Sequence, residues 1–152
     1  MAKFIYKMQN ILNIKFKLED QAKSVYAEAQ ARLNEEEKKL DVLLYKKQVY
    51  EQRLRELVKD SLNIMEIKKC QDAVEVTKYA VKVQRVAVFN ADRQLETARI
   101  KLNDAMVERK THEKLKENAF EQFKDEINTE EKKEIDELVS YKYSKTTDSE
   151  DD

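Results

Sequence analysis

At 152 residues without one glycine or proline, the chain lacks the residues that turn-rich sheets and compact α/β folds recruit to reach their dihedrals. Charged residues are 40% of it, yet the formal net charge is -1, which suits a solvated surface of interleaved signs and excludes the basic excess of a nucleic-acid binder. Ala, Glu, Lys, Leu and Arg fill 75 of the 152 positions, a coiled-coil share that predicts an all-α chain too charged for a thick globular core.

Residues 1–18 carry Lys3, Lys7, Lys15 and Lys17 and no acid before Glu19. Phe4, Ile5, Met8, Ile11, Leu12, Ile14 and Phe16 alternate with them. A targeting presequence, a membrane-surface helix and a helix start that docks on a partner all fit this pattern. A presequence is normally rich in Arg and Ser, and this stretch has neither. Docking is favoured because the helical pattern runs straight on.

From Leu12 a heptad runs in two series, Leu12, Glu19, Tyr26, Leu33, Leu40, Lys47, Leu54, Ser61 and Ala22, Ala29, Glu36, Leu43, Tyr50, Leu57, Ile64. Their three-and-four spacing puts them on one helix face. Glu19, Glu36, Lys47 and Ser61 interrupt the seam, which weakens it while fixing register. Pairs Glu35–Lys39 and Glu51–Arg55 are expected on the outside, each stabilising by only about 0.2–0.5 kcal/mol.

The chain turns at residues 60–63. Asn63 has the character of an N-cap with Glu66 as its capping-box partner, and Leu62 and Ile67 sit at hydrophobic-staple positions. Lys59 suits the negative end of the preceding helix. One uninterrupted helix is the competing expectation, since no Gly or Pro enforces the break.

After the turn, Val74, Val81, Val88, Leu95 and Leu102 alternate with the smaller or polar Cys70, Thr77, Gln84, Ala91, Ala98 and Ala105. Beyond Leu102 the stripe is expected to shift phase to His112, Leu115, Ala119, Phe123 and Ile127, in the manner of a stutter. The lone His112 and lone Cys70 have no partners for catalysis, metal binding or an internal disulfide, so both are expected as seam residues, and a reducing compartment is favoured. No run approaches the ~20 apolar residues of a membrane span.

The predicted fold is a long antiparallel two-helix coiled-coil hairpin with an overhanging C-terminal helix. It forms one domain over residues 1–143, with helix 1 at about 3–60 and helix 2 at about 64–143, and a disordered acidic tail at 144–152. Phe4 is then expected near Ala119, and the stretch from about Phe123 to Tyr143 has no internal mate. At 1.5 Å per residue the helices would extend about 85 and about 120 Å. Carboxylates on such a rod are solvated and no catalytic constellation emerges, so no enzyme and no cofactor are expected. Near the turn, Val42, Leu44, Tyr45 and Val49 on helix 1 and Val76, Tyr79, Val83, Val86 and Phe89 on helix 2 make an apolar belt wider than a two-helix seam requires. Such a belt marks a partner or self-association surface.

The run Phe4-Ile-Tyr-Lys-Met-Gln-Asn-Ile-Leu-Asn-Ile-Lys15 and the cluster Glu130-Glu-Lys-Lys-Glu-Ile-Asp-Glu137, at the two ends of a hairpin without Gly or Pro, resemble the flagellar export protein FliJ family of type III export systems. The resemblance implies a non-enzymatic stalk similar to the coiled-coil part of the rotary ATPase gamma subunit. Its end with both termini would enter the hexameric flagellar export ATPase, and its turn would reach the cytoplasmic domain of the membrane export gate. Export chaperones are further implied partners, and the implied location is cytoplasmic, at the inner face of the cell membrane at the flagellar base. The implied ring contacts are Phe4, Tyr6, Met8, Leu12, Asp136 and Glu137. The implied gate contacts are Leu43, Tyr50, Ala80 and Gln84, and the belt adds Tyr45, Tyr79 and Val83 as partner contacts. The chain departs from the family face at Lys46, Ala73 and Thr77, where a tyrosine and larger apolar residues are usual. Alternatives are a scaffolding or self-associating coiled coil, the equivalent stalk of a virulence secretion system, and a peripheral membrane protein using the basic N-terminal segment.

Overall fold

The computed structural model describes residues 2–60 and 63–148. They form two helices, α1 (Gln9–Asp60) and α2 (Ile64–Asp148), and no strand occurs among the described residues. Asn63 precedes α2 and its carbonyl accepts the first helical hydrogen bond, from the Ile67 amide at 3.1 Å, as an N-cap position requires. Glu66 lies in the first turn of α2 and Lys59 in the last turn of α1, each the charge that the helix dipole favours there. Ser61 and the staple residue Leu62 lie outside the described residues.

The chain clusters into two units, each containing a stretch of both helices: Glu19–Ala105, and Met1–Leu18 with Met106–Asp152. In the first, the Gln84 amide donates across the seam to the Glu36 carbonyl at 3.0 Å and also to the Glu36 carboxylate. The Cys70 thiol donates to the Tyr50 carbonyl at 3.4 Å. Later residues of α1 thus meet earlier residues of α2, so the helices are antiparallel and the single-helix alternative falls. Among the described residues nine are buried, all on the heptad series read from the sequence and eight of them in this unit: Glu19, Leu33, Cys70, Val74, Thr77, Val81, Ala91 and Ala98. Most buried α2 residues are small, so the facing Leu and Tyr residues of α1, half-buried apart from the buried Leu33, can approach the α2 backbone closely.

In the second unit Leu12 is the one buried residue among those described. Lys15 bridges to Glu108 at 2.9 Å, and the Phe4 ring meets Phe120 edge-on at 5.2 Å and Phe123 at 5.3 Å. These pairs repeat the antiparallel register.

Several expectations are corrected. Helix α1 begins at Gln9, not near residue 3: residues 2–6 are non-helical, with the Tyr6 carbonyl accepting from the Gln9 amide. Aromatic and β-branched residues at positions 4–6 are weak helix formers, and burying Phe4 between two rings outweighs another helical turn. Helix α2 runs to Asp148, so 144–148 are helical where a disordered tail was expected, and 149–152 lie outside the described residues. Ile64, placed in the seam, is 76% exposed.

Of the stripe expected beyond Leu102, His112, Ala119, Phe123 and Ile127 are half-buried; the old register persists as far as Phe123, and only Ile127 stands off it. Arg109, His112, Lys116, Ala119 and Phe123 are half-buried in the old register, while Leu115 is 47% exposed. Long side chains can lay their stems on the seam and keep the charge outside. Arg109 does so, pairing with Glu113 at 2.8 Å and carrying its guanidinium 5.8 Å above the Phe16 ring. Lys39 pairs with the half-buried seam residue Glu36, and Glu51 with the half-buried seam residue Lys47, where pairs with Glu35 and Arg55 were expected from spacing.

Candidate functional site

In the Glu19–Ala105 unit the sequence-assigned partner residues divide into two groups. Leu43, Tyr50, Ala80 and Gln84 are half-buried along the seam. Gln84 spends its amide on Glu36, so it fixes register, the role assigned above to polar seam residues. Tyr45, Tyr79 and Val83 are instead 69%, 70% and 52% exposed. Val42, Val49, Val76, Val86 and Phe89, assigned with them to the belt, are each at least 45% exposed. Counted from the seam, the α1 and α2 residues make two exposed stripes, each on the side of its own helix away from the other. Leu44, also assigned to the belt, is half-buried. A shallow groove of about 400 Å³ along Val42, Leu43 and Gln84 is rimmed by Lys38 and Lys39. A second, of about 330 Å³, lies nearer the turn between Tyr50, Leu57, Cys70 and Ala73, with Arg53, Glu66 and Lys69 at its edge.

In the other unit, Phe4 and Tyr6 are half-buried, Met8 is half exposed and Leu12 is 2% exposed. Leu12 is core and reaches a partner only if the helices part. Phe4, Leu12, Phe16 and Phe120 wall an open trough of about 510 Å³ with Glu113, Lys116 and Glu117 on its rim. The hydrogen bond and positive charge of Lys15 hold the Glu108 carboxyl below its ordinary range. His112 points its Nε2 at Glu108 from 3.9 Å, and its buried Nδ1 has no partner.

From residue 128 to 148 every described residue of α2 is exposed, including Asp136 and Glu137. Those two lie about 20 Å along the helix from Phe123, so the structure does not bring them together with Phe4. Sequence reasoning missed two features here. Phe120 lies off the seam series, yet its ring meets that of Phe4, which stands in the non-helical segment before α1. Ile135, Leu138, Val139 and Tyr141 are each 57–62% exposed and share one broad face. Their i, i+3, i+4 spacing was the available signal, hidden among the charges of Glu130–Glu137.

Among the described residues no group of His, Cys, Asp and Glu could hold a metal ion, and no helix is long and apolar enough to cross a membrane. The class these features define is an antiparallel helical hairpin whose distinguishing surfaces are exposed apolar stripes. The family model for the flagellar FliJ protein matches residues 4–147, nearly the whole chain, and the chain belongs to that family. Membership makes it a component of flagellar protein export. No curated protein and no solved structure matches it.

Proposed function

We propose that this chain is the central stalk of the hexameric flagellar export ATPase, linking the ring to the cytoplasmic domain of the export gate and assisting chaperone recycling. It would act in the cytoplasm, at the inner face of the cell membrane. The observation that carries this reading is the uncovered stretch of α2 at 128–148, which offers Ile135, Leu138, Val139 and Tyr141 beside Asp136 and Glu137 with no α1 residue over them. An exposed apolar stripe of this kind is a contact surface. The ring contacts are Phe4, Tyr6, Met8, Asp136 and Glu137, with Leu12 beneath them; the gate contacts lie on the belt and the seam edge at Leu43, Tyr50, Ala80 and Gln84. The protein contributes contacts and no chemistry of its own. Membership of the flagellar family favours this system over the virulence stalk.

Co-purification with the hexameric export ATPase, with ATP turnover and ring assembly measured with and without the chain, tests the reading. Association that changes assembly or turnover and is lost in Leu138→Asp is the expected outcome. No association and no change overturns it. The scaffold reading draws on the exposure of Tyr45 and Tyr79 and requires a stable homodimer, lost on Tyr45→Glu or Tyr79→Glu, in analytical ultracentrifugation.

A further inference from the structure

Helix α2 carries a second seam. Val76, Tyr79, Val83 and Val86 follow one another at spacings of three, four and three, and Asn90 continues the series four residues on. This is the spacing of coiled-coil core positions. Each residue stands two or five places beyond a position of the Val74–Val81–Val88 series, and at 100° per residue that is the opposite side of the helix. The first seam is covered by α1, with Val74 and Val81 at 6% and 5% exposure. The four apolar residues of the second stand at 52–70%, with Phe89 at its edge at 58%. One flank is formed by the small residues Ala80 and Ala87, which let another backbone come close.

The charges say what covers it. Beside the second seam on α2 stand Lys82 and Glu75, and Glu75 is already paired with Lys78 at 3.7 Å, which leaves Lys82 as the charge facing a newcomer. On α1 the adjoining rim is also basic, through Lys38, Lys39, Lys46 and Arg53. A second copy of this chain laid antiparallel on the seam would oppose Lys82 to Lys82, and like charges facing each other are disfavoured.

We propose that the outer face of α2 from Val76 to Asn90 docks an acidic amphipathic helix of another protein, about four turns long, with apolar residues at three-and-four spacing and carboxylates on the flanks. The helix would pack knobs-into-holes on the valines and Tyr79 and place its carboxylates by Lys82 on one flank and by the α1 lysines Lys39 and Lys46 on the other. The proposal rests on the reading above only in taking the turn-end belt for a contact surface, and it gives that partner its chemistry.

The test uses the full chain and two synthetic four-heptad peptides, alike in a leucine stripe, one with glutamate and one with lysine at the flanking positions. Fluorescence anisotropy should show the glutamate peptide binding with an affinity that falls as salt rises, and the lysine peptide at least about tenfold weaker. The double variant Val83→Asp, Val86→Asp should lose the glutamate peptide. The double variant Lys46→Glu, Lys82→Glu should reverse the preference, and both residues are exposed and off the seam, so a merely structural effect would not produce the reversal. Circular dichroism confirms that each variant keeps its helices. Equal binding of the two peptides, binding of neither, or binding indifferent to both variants overturns the proposal. So does a homodimer of the unmodified chain that the valine variant dissolves. Neither peptide involves the ring or the gate, so a null result here leaves the stalk standing, and failure of the ring experiment leaves the docking face standing.

Discussion

The two units are built from the same two helices yet differ in how their seams are filled. The Glu19–Ala105 unit holds eight of the nine buried residues among those described, and Glu19, Thr77 and Gln84 in its seam find partners along or across the helices. The terminal unit holds only Leu12, fills its seam with Arg109, His112 and Lys116, and relies on Phe4 packed against Phe120 and Phe123. Stability therefore concentrates on the turn side, and the terminal side can be remodelled at lower cost, as interaction regions generally are.

Leu33→Ala should break this contrast most sharply. Removing a buried leucine from the better-packed unit should lower the unfolding free energy by about 2–3 kcal/mol, read from urea denaturation. Phe4→Ala should cost about 1 kcal/mol, and mainly locally. Hydrogen exchange should accelerate at residues 105–127 and stay unchanged at 70–98; equal acceleration in both would show that the units are one cooperative body.

The Gln84–Glu36 contact sharpens the comparison from the other side. Replacing both residues by leucine should leave stability level or slightly higher, because a satisfied polar pair in a seam is retained for register more than for energy. Disulfide trapping between cysteines placed on α1 and α2 should then capture shifted pairings that the parent chain does not show.

The smallest effect concerns acid. The folded Glu108 carboxyl lies below its ordinary value of 4.5 because of Lys15, so the pair stabilises the protein above that value and the contribution fades as pH falls through the folded value. Lys15→Met should lower Tm slightly at neutral pH and flatten its acid dependence. The exposed Glu96–Arg99 pair moves the Glu96 carboxyl in the same direction. Arg99→Met is the corresponding comparison in the other unit.

The seam was legible because burial in a hairpin is periodic: Leu33, Val74, Val81, Ala91 and Ala98 are buried where the count placed them. Arg109 and Lys116 were not legible as seam residues, since their charge reads as outside while their stems are what the seam uses. The start of α1 was missed because Phe4 is held by rings more than a hundred residues away, a tertiary preference invisible in local propensity. Of the candidate surfaces, Tyr45, Tyr79 and Val83 stand exposed as expected. Glu36 read as an interruption of the α1 seam and Gln84 as one of the smaller or polar residues of the α2 series, and only the register reveals that they answer each other.

The bare end of α2 has one practical consequence. A lone helix in water opens often enough for a protease to find it, whereas one seated in a receptor does not. Brief digestion should clip the chain past residue 127 before anywhere else, and each genuine receptor should slow that cut. The protein thus carries its own gauge of engagement, readable on a gel without any label.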